Sequence, residues 1–357
     1  MFELTNEQRV CFALAPISEG WERIELKASP YDTFKTYLFL DGDTALKCIT
    51  QGEEQYTEYE FNERVSPDRK FLLPKTEKGN PVPLSSSSLL KRKMVGMALS
   101  YYKKKVMLWS AKSDCNYYTN DYFDDGIHSL ADFAAWAERW CKETSEDDLA
   151  DVRAFAARER RRVRYREGDV FRFKIGRRLY GYGRLLLDYD KLRKSGEPFW
   201  DVLMARPLVC SVYRIVTERA DLSADELAGL PSLPSSVITD NRLFYGEHEI
   251  IGSLPIQKTE DYPMMYGDSI RLGEGGVFYQ CGRLFRSKED ETALYDGFRN
   301  NTVSFTLNFT LPVLEECIAR ESNAPYWEGY IPRLVEQDLR NPKHADKLKK
   351  IKEQLGI

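Results

Sequence analysis

Histidines, which catalytic and metal sites use most often, are few in this chain, and their spacing is uninformative. The three histidines are His128, His248 and His344, and none has a second histidine or a cysteine at the spacing of a metal-ligand set. The chain contains no HExxH, GxSxG or Walker sequence. We therefore expect no catalytic residues, no metal and no cofactor. Carboxylate-only enzymes have no readable spacing, so an enzyme without a recognisable motif stays an alternative.

One group of residues could do acid–base chemistry. Asp240, Glu247, His248 and Glu249 lie close together around a predicted turn, and a carboxylate beside a histidine can act as a base. A single histidine among acids in a loop is more typical of a hydrated surface group. We expect that simpler role here.

Three glycines, at positions 273, 275 and 276, could suggest phosphate binding. A phosphate-binding loop requires a following Lys-Ser or Lys-Thr and a helix, whereas residues 277–284 have the pattern of a strand. The glycines therefore predict a turn.

The most informative segment is 164–189, with the sequence RYREGDVFRFKIGRRLYGYGRLLLDY. Residues 169–175 alternate between apolar and charged side chains, a Gly-Arg-Arg turn follows, and residues 179–187 return. This pattern predicts a hairpin. Gly181 and Gly183 share one face of the return strand, where glycine indicates strong sheet curvature or the close approach of another group to the backbone.

The opposite face of the hairpin carries aromatic and cationic side chains. Tyr180, Tyr182 and Arg184 share it on the return strand, while Arg172 and Lys174 are the charged residues of the first strand. Two interpretations stay open at this point: a curved hairpin that forms part of a small barrel, or an exposed face that binds a partner. Tyr and Arg contribute strongly to protein interfaces, so these five residues are our candidate partner-binding residues.

The same segment carries a resemblance to a known family. EGDVFRFKI, a short turn and RLYGYGRLL resemble the opening hairpin of the immunity protein 26 family, which are predicted antitoxins of bacterial polymorphic toxin systems. The resemblance runs over residues 164–311. It implies a β-rich domain that binds a cognate protein toxin and blocks it. A long N-terminal region and a helical C-terminal region depart from a single-domain member.

Composition restricts the compartment and the partners. No apolar run approaches the roughly 18 residues of a membrane span, the first residues are polar and acidic, and seven cysteines are spread singly along the chain. We expect a cytoplasmic protein with mostly buried thiols and no membrane contact.

The net charge of −4 arises from 52 basic and 56 acidic residues. It lacks the basic excess of a nucleic-acid binder, so we do not expect nucleic acid as the partner. It suits attraction to a basic partner such as a nuclease toxin. The alternative outside this class is a nucleic-acid-binding regulator that uses the arginines of residues 158–164 and the lysines of residues 103–105.

The pattern of elements predicts an α+β fold in four parts. Residues 1–143 form an α+β domain, with a helix capped by Thr5 and another, after Ser129, that carries an aromatic stripe. A charged linking helix, 144–163, is followed by the β-rich domain, 164–311, which is a twisted sheet or barrel-like, and by a helical C-terminal tail, 312–357.

Several short strands are predicted in the second half of the chain. They are 199–205, 208–216, 237–238, 243–245, 249–254, 277–284 and 303–308, with a capped helix after Ser223 and an aromatic loop around Tyr326 and Trp327. The resulting hypothesis is an immunity protein that neutralises its toxin by tight stoichiometric binding, without a cofactor.

Overall fold

The chain divides into two compact units. A computed structural model describes residues 2–27, 33–89, 91–194, 205–268, 276–296, 298–299, 303–320 and 336–357. The first unit is Met1–Arg161 and the second is Arg162–Ile357. Both contain helices and antiparallel sheets, which confirms the predicted α+β class.

The first unit is built on a seven-stranded antiparallel sheet with the order β1-β2-β3-β4-β7-β8-β9. Two further strands form a small ribbon, β5-β6. The strands are β1 Glu22–Glu25, β2 Phe34–Asp41, β3 Thr44–Gly52, β4 Gln55–Arg64, β5 Lys70–Phe71, β6 Val82–Pro83, β7 Val95–Tyr102, β8 Lys105–Ser110 and β9 Cys115–Thr119. Two hairpins of this sheet are β2-β3 and β7-β8, and the second turns at Lys103 and Lys104, both of which have positive φ.

The first unit contains four described helices: α1 Asn6–Cys11, α2 Ser86–Leu89, α3 Leu130–Lys142 and α4 Glu146–Ala156. The helices after Thr5 and Ser129 begin where the sequence predicts. Thr5 and Gln8 form a capping box for α1, and the Ser129 side chain accepts from the backbone of Asp132 at the start of α3. Each cap satisfies backbone N–H groups that have no partner inside the helix.

An aromatic layer joins α3 to the sheet. Phe133 stacks on Tyr101 of β7 with ring centroids 5.2 Å apart, and Trp136 stacks on Phe12, which follows α1. Trp140 meets Tyr118 of β9 edge to face at 5.0 Å. The predicted aromatic stripe is therefore core, and burial of such large rings dominates packing energetics.

Helix α4 differs from the linking helix that the charge pattern predicts. It ends at Ala156, and Arg158–Arg164 follow as irregular chain. Phe155 packs edge to face on Tyr117 of β9, and the Tyr117 hydroxyl donates to Asp151 at 2.9 Å. The helix thus belongs to the first unit because its apolar side is buried there, and the arginines lie outside it.

The second unit contains two described antiparallel sheets. The five-stranded sheet has the order β13-β12-β11-β10-β14, and the four-stranded sheet has the order β17-β16-β15-β18. The strands are β10 Asp169–Lys174, β11 Tyr180–Asp188, β12 Pro207–Val212, β13 Ser236–Thr239, β14 Glu249–Ser253, β15 Met264–Asp268, β16 Val277–Cys281, β17 Leu284–Lys288 and β18 Phe298–Arg299.

The five-stranded sheet is open, since its edge strands β13 and β14 do not pair with each other. The barrel-like alternative is therefore wrong. Leu187, Val209 and Val237 of this sheet pack with Phe278 of β16, so the two sheets share one apolar layer instead of closing into a cylinder. Burial of apolar area on a sheet face removes the need for closure.

The helices of the second unit cover sheet faces. They are α5 Tyr189–Arg193, α6 Ala224–Leu227, α7 Asn241–Phe244, α8 Leu311–Ala319 and α9 Ala345–Leu355, with a 3-10 turn at Pro342–His344. Ser223 and Glu226 form the predicted capping box of α6. Ile351 and Leu355 of α9 pack with Tyr266 and Tyr279 of the four-stranded sheet.

Two predicted strands are wrong. Residues 243–245 belong largely to α7, because the backbone N–H of Phe244 bonds to the Asp240 carbonyl. Residues 303–308 make one parallel bridge, from Ser304 to Ile238 of β13, and Phe305 is 73% exposed, so the pairing with β13 does not extend into a strand. The predicted strand at 199–205, the glycine turn at 273–276 and the loop around Tyr326 and Trp327 lie wholly or mostly outside the described residues.

Candidate functional site

The β10-β11 hairpin is the centre of the five-stranded sheet, and its glycines make room for aromatic rings. Phe171 lies opposite Gly183, and Phe173 lies opposite Gly181. A Cβ atom at either glycine would stand 2.5 Å from the ring of its partner. The rings therefore lie across the glycine backbone, which is the close approach that the sequence pattern predicted.

His248 completes this aromatic face. Its ring stacks on Phe171 with centroids 5.3 Å apart and planes 6° apart, and only 2% of the residue is exposed. Neither ring nitrogen has a hydrogen-bond partner among the described residues. Burial, together with the Arg242 charge, holds the pKa of His248 well below its ordinary value. The expectation of a hydrated surface histidine is wrong, because stacking has removed the ring from water.

The carboxylates near His248 in sequence are used elsewhere. Asp240 accepts from the Tyr165 hydroxyl at 2.8 Å. Glu247 pairs with Arg242 at 3.0 Å, and Glu249 pairs with Arg172 at 2.6 Å. With the histidine nitrogens unpartnered, these residues form no acid–base pair.

Tyr182 lies on the other face of the hairpin and is fully buried. Its side chain packs with Leu222, Ala224 and Leu227, and its hydroxyl donates to the Arg219 carbonyl at 2.7 Å. The segment around α6 covers this part of the sheet. Tyr182 is therefore a core residue, and its prediction as part of an exposed face is wrong.

Arg184 is also covered, with 9% of the residue exposed. Its guanidinium pairs with Glu260 at 2.8 Å and donates to the carbonyls of Leu254 and Pro255 at 3.1 and 2.5 Å. These charge-assisted bonds fix the loop after β14 onto β11. Arg184 is thus not an exposed contact residue.

The remaining three candidates stay at the surface and form one group. Tyr180, Arg172 and Lys174 are each half-buried. The Arg172 guanidinium and the Lys174 ammonium lie 5.4 and 5.8 Å from the centroid of the Tyr180 ring, within the range of cation–π contacts. Arg172 also pairs with Glu249. We call these three residues the hairpin edge group.

A cavity of about 390 Å³ lies beside Arg184. Its size falls within the range of small-ligand and side-chain pockets. The lining comes from β11, β12, the chain after α6 and the loop after β14: Arg184, Ser211, Tyr213, Ala228, Gly229, Leu230, Ser232, Leu254, Pro255, Gln257, Thr259 and Glu260. Sequence reasoning included Arg184 but missed the cavity, because its walls come together only in the tertiary structure.

The first unit holds a different polar cluster, which sequence reasoning missed. The Glu58 carboxylate is fully buried and accepts from Lys47 at 2.5 Å, from Arg9 at 2.8 Å and from the Tyr56 hydroxyl at 2.6 Å. Burial and the Glu58 charge raise the pKa of Tyr56 well above its ordinary value. The cluster ties α1 to β3 and β4.

Among the described residues, no group of three or more histidine, cysteine, aspartate or glutamate side chains could hold a metal ion. No helix in the part of the chain that the structure describes has the length and apolar character needed to cross a membrane.

One known protein family matches part of the second unit. Residues 166–275 match the family model of Immunity protein 26. This confirms the resemblance read from the hairpin. The matched segment contains β10 to β14, and therefore the whole five-stranded sheet, together with the cavity. No curated protein and no solved structure matches the chain.

Proposed function

We propose that this protein is an immunity protein that neutralises a cognate bacterial polymorphic toxin by tight stoichiometric binding in the cytoplasm. The observation that carries the proposal is the match of residues 166–275 to Immunity protein 26, since these residues form a complete sheet with its covering segments. Such a protein acts by occupying the toxin's working surface, so it needs affinity and no turnover. A basic nuclease-type domain suits the net charge of −4.

The hairpin edge group is the surface where we expect the toxin to bind. Tyr180, Arg172 and Lys174 retain exposure, while Tyr182 and Arg184 hold the fold behind them. Tyrosine and arginine that are already held in place lose little conformational freedom on binding. We therefore place part of the toxin interface on this group.

Co-expression with the toxin encoded beside this protein tests the proposal. Purification in chelator is expected to return a one-to-one complex, and growth protection is expected to disappear once toxin exceeds the protein. Protection at strongly substoichiometric amounts, or a toxin that stays chemically altered after the protein is removed, would instead favour an enzyme.

A matched pair of variants tests the interface. Replacing Tyr180 with alanine is expected to weaken toxin binding by about 2 kcal/mol, roughly thirtyfold in Kd, with little change in melting temperature. Lys288→Ala, in an exposed ion pair on β17, is the control that leaves affinity unchanged. Unchanged affinity in a folded Tyr180→Ala variant would remove the hairpin edge group from the interface.

One observation favours a second candidate, a nucleic-acid-binding regulator. Arg161, Arg162 and Arg164 are exposed, and none makes an ion pair with another described residue. Phosphate contacts from these arginines would make binding fall steeply with salt. Titration with duplex and single-stranded DNA at several salt concentrations separates the candidates. A nucleic-acid-binding regulator binds DNA with an affinity that falls steeply with salt, whereas a protein that binds only a toxin shows no such affinity for DNA.

A further inference from the structure

The cavity beside Arg184 has two chemically different walls. Leu230, Leu254 and Pro255 supply apolar surface, while Ser211, Ser232, Tyr213 and Thr259 supply hydroxyl groups. Leu230 is 36% exposed and thus reachable from solvent. A group that fits this cavity must present an apolar stem to one wall and hydrogen-bonding atoms to the other.

Two polar atoms in the cavity lining are incompletely hydrogen-bonded within the described residues. The Arg184 Nε and the Tyr213 hydroxyl are buried, yet neither makes a hydrogen bond of standard geometry to a described residue. The two residues are 9% and 4% exposed, and their side chains lie close enough to interact with each other. Buried polar groups are nearly always hydrogen-bonded with good geometry, so an acceptor that reaches both atoms would complete their bonding.

The charge balance restricts what that acceptor can be. Arg184 is already neutralised by Glu260, and the Glu260 Oε1 atom also accepts from the backbone N–H of Gln257 at 3.0 Å. An anion would therefore meet the Glu260 charge, and a cation would meet the Arg184 charge. No described residue donates to the Glu260 Oε2 atom, so this oxygen is open to a donor group of a ligand.

We propose that this cavity binds a neutral side-chain carboxamide, a glutamine or asparagine of the bound toxin. The carboxamide oxygen accepts from the Arg184 Nε and the Tyr213 hydroxyl, and its NH₂ group donates to the Glu260 Oε2. The methylene stem of the ligand lies against Leu230 and Leu254. This inference rests on the proposed function for the source of the side chain, whereas the chemistry of the cavity stands apart from it.

Methyl NMR with small probes tests the chemistry without the toxin. The methyl signals of Leu230 and Leu254 are followed during titration with N-acetylglutamine methylamide, and with the glutamate and methionine analogues. We expect saturable millimolar shifts with the glutamine probe and affinities at least tenfold weaker for the other two. Equal shifts with all three probes, or none with glutamine, would overturn the proposal.

The variant Tyr213→Phe separates the two parts of the inference. It removes one hydroxyl and is expected to weaken the glutamine probe about fivefold, which matches the loss of one neutral hydrogen bond. The same variant is expected to weaken the toxin complex by a similar factor. If the variant bound the glutamine probe more weakly but bound the toxin with unchanged affinity, the toxin would not be the source of the carboxamide. Failure of the wild-type protein to bind toxin at all would contradict the proposed function, while the probe titration would still decide the cavity.

Discussion

Two clusters, one in each unit, bury polar groups in opposite ways. In the first unit, Glu58 has three donors and no exposure, so the charges of Lys47 and Arg9 are fully paired. In the second unit, His248 and Tyr213 are buried with polar atoms that make no hydrogen bond of standard geometry to a described residue. Unpartnered buried polar atoms lower stability, and proteins retain such costs mainly where they serve a purpose.

The two clusters differ in what they can offer a ligand. A completely satisfied cluster fixes the position of α1 on its sheet and offers nothing to a ligand. The unsatisfied group at Arg184 and Tyr213 lies beside a cavity and inside the family-matched residues. The first cluster is therefore a structural device, and the second is a candidate recognition site.

The largest expected effect comes from breaking the first-unit cluster. Glu58→Gln leaves Lys47 buried beside only the more distant Glu60 at 3.6 Å, and is expected to lower the free energy of unfolding of the first unit by about 3–5 kcal/mol. Urea denaturation at pH 7 measures it. Glu25→Gln, which breaks the exposed pair with Lys35, is the control and should change stability by less than about 1 kcal/mol. A similar small change for both would mean that the buried charges are not paired as described.

The next effect isolates a single hydrogen bond of that cluster. Tyr56→Phe removes the hydroxyl that donates to Glu58 and is expected to cost about 2 kcal/mol, because bonds to a charged acceptor are stronger than neutral ones. Denaturant unfolding of the same unit measures this loss. An unchanged free energy of unfolding would show that the Tyr56 hydroxyl does not contribute to stabilising the buried Glu58 carboxylate.

The pH dependence of stability tests the second unit. His248 is held neutral in the folded protein, while the unfolded chain takes up a proton below pH 6.5 or so. Stability contributed by the neutral ring is therefore present above that pH and is lost as pH falls, by about 1.4 kcal/mol per pH unit. His344, whose pKa is also lowered by burial, adds to the loss.

Urea unfolding between pH 7.5 and 5.5 measures that dependence. The variant His248→Phe keeps a stacking ring and is expected to flatten the curve, whereas His128→Gln, at an exposed site, should leave its slope unchanged. If both variants kept the wild-type slope, His248 would not be the group that titrates.

The smallest expected change in stability comes from Tyr213→Phe, the second-unit counterpart of Tyr56→Phe. Tyr213→Phe removes a buried hydroxyl that makes no hydrogen bond of standard geometry to a described residue, so the free energy of unfolding should change by less than about 0.5 kcal/mol or rise slightly. Denaturant unfolding of the second unit measures this change. A loss as large as that of Tyr56→Phe would show that the Tyr213 hydroxyl is satisfied in solution, and the contrast between the two clusters would disappear.

Local signals in the sequence predicted much of the fold. The capping boxes at Thr5 and Ser223 start helices where expected, and the alternation of 169–175 and 179–187 gives the β10-β11 hairpin. These features depend on neighbours within a few residues, so local chemistry is sufficient to specify them. The alternation of 303–308 failed because a strand also needs a partner strand, which lies elsewhere in the chain.

The sequence by itself determined that β11 has two faces, with Gly181 and Gly183 on one and Tyr180, Tyr182 and Arg184 on the other. Only the tertiary structure decided what covers each face. Arg184 meets Glu260 across 76 residues, and α6 closes over Tyr182. Period-two alternation fixes the relative direction of side chains, whereas burial depends on distant segments that no local pattern specifies. The cavity beside Arg184 exists for the same reason, since β11, β12 and two loops form its walls together.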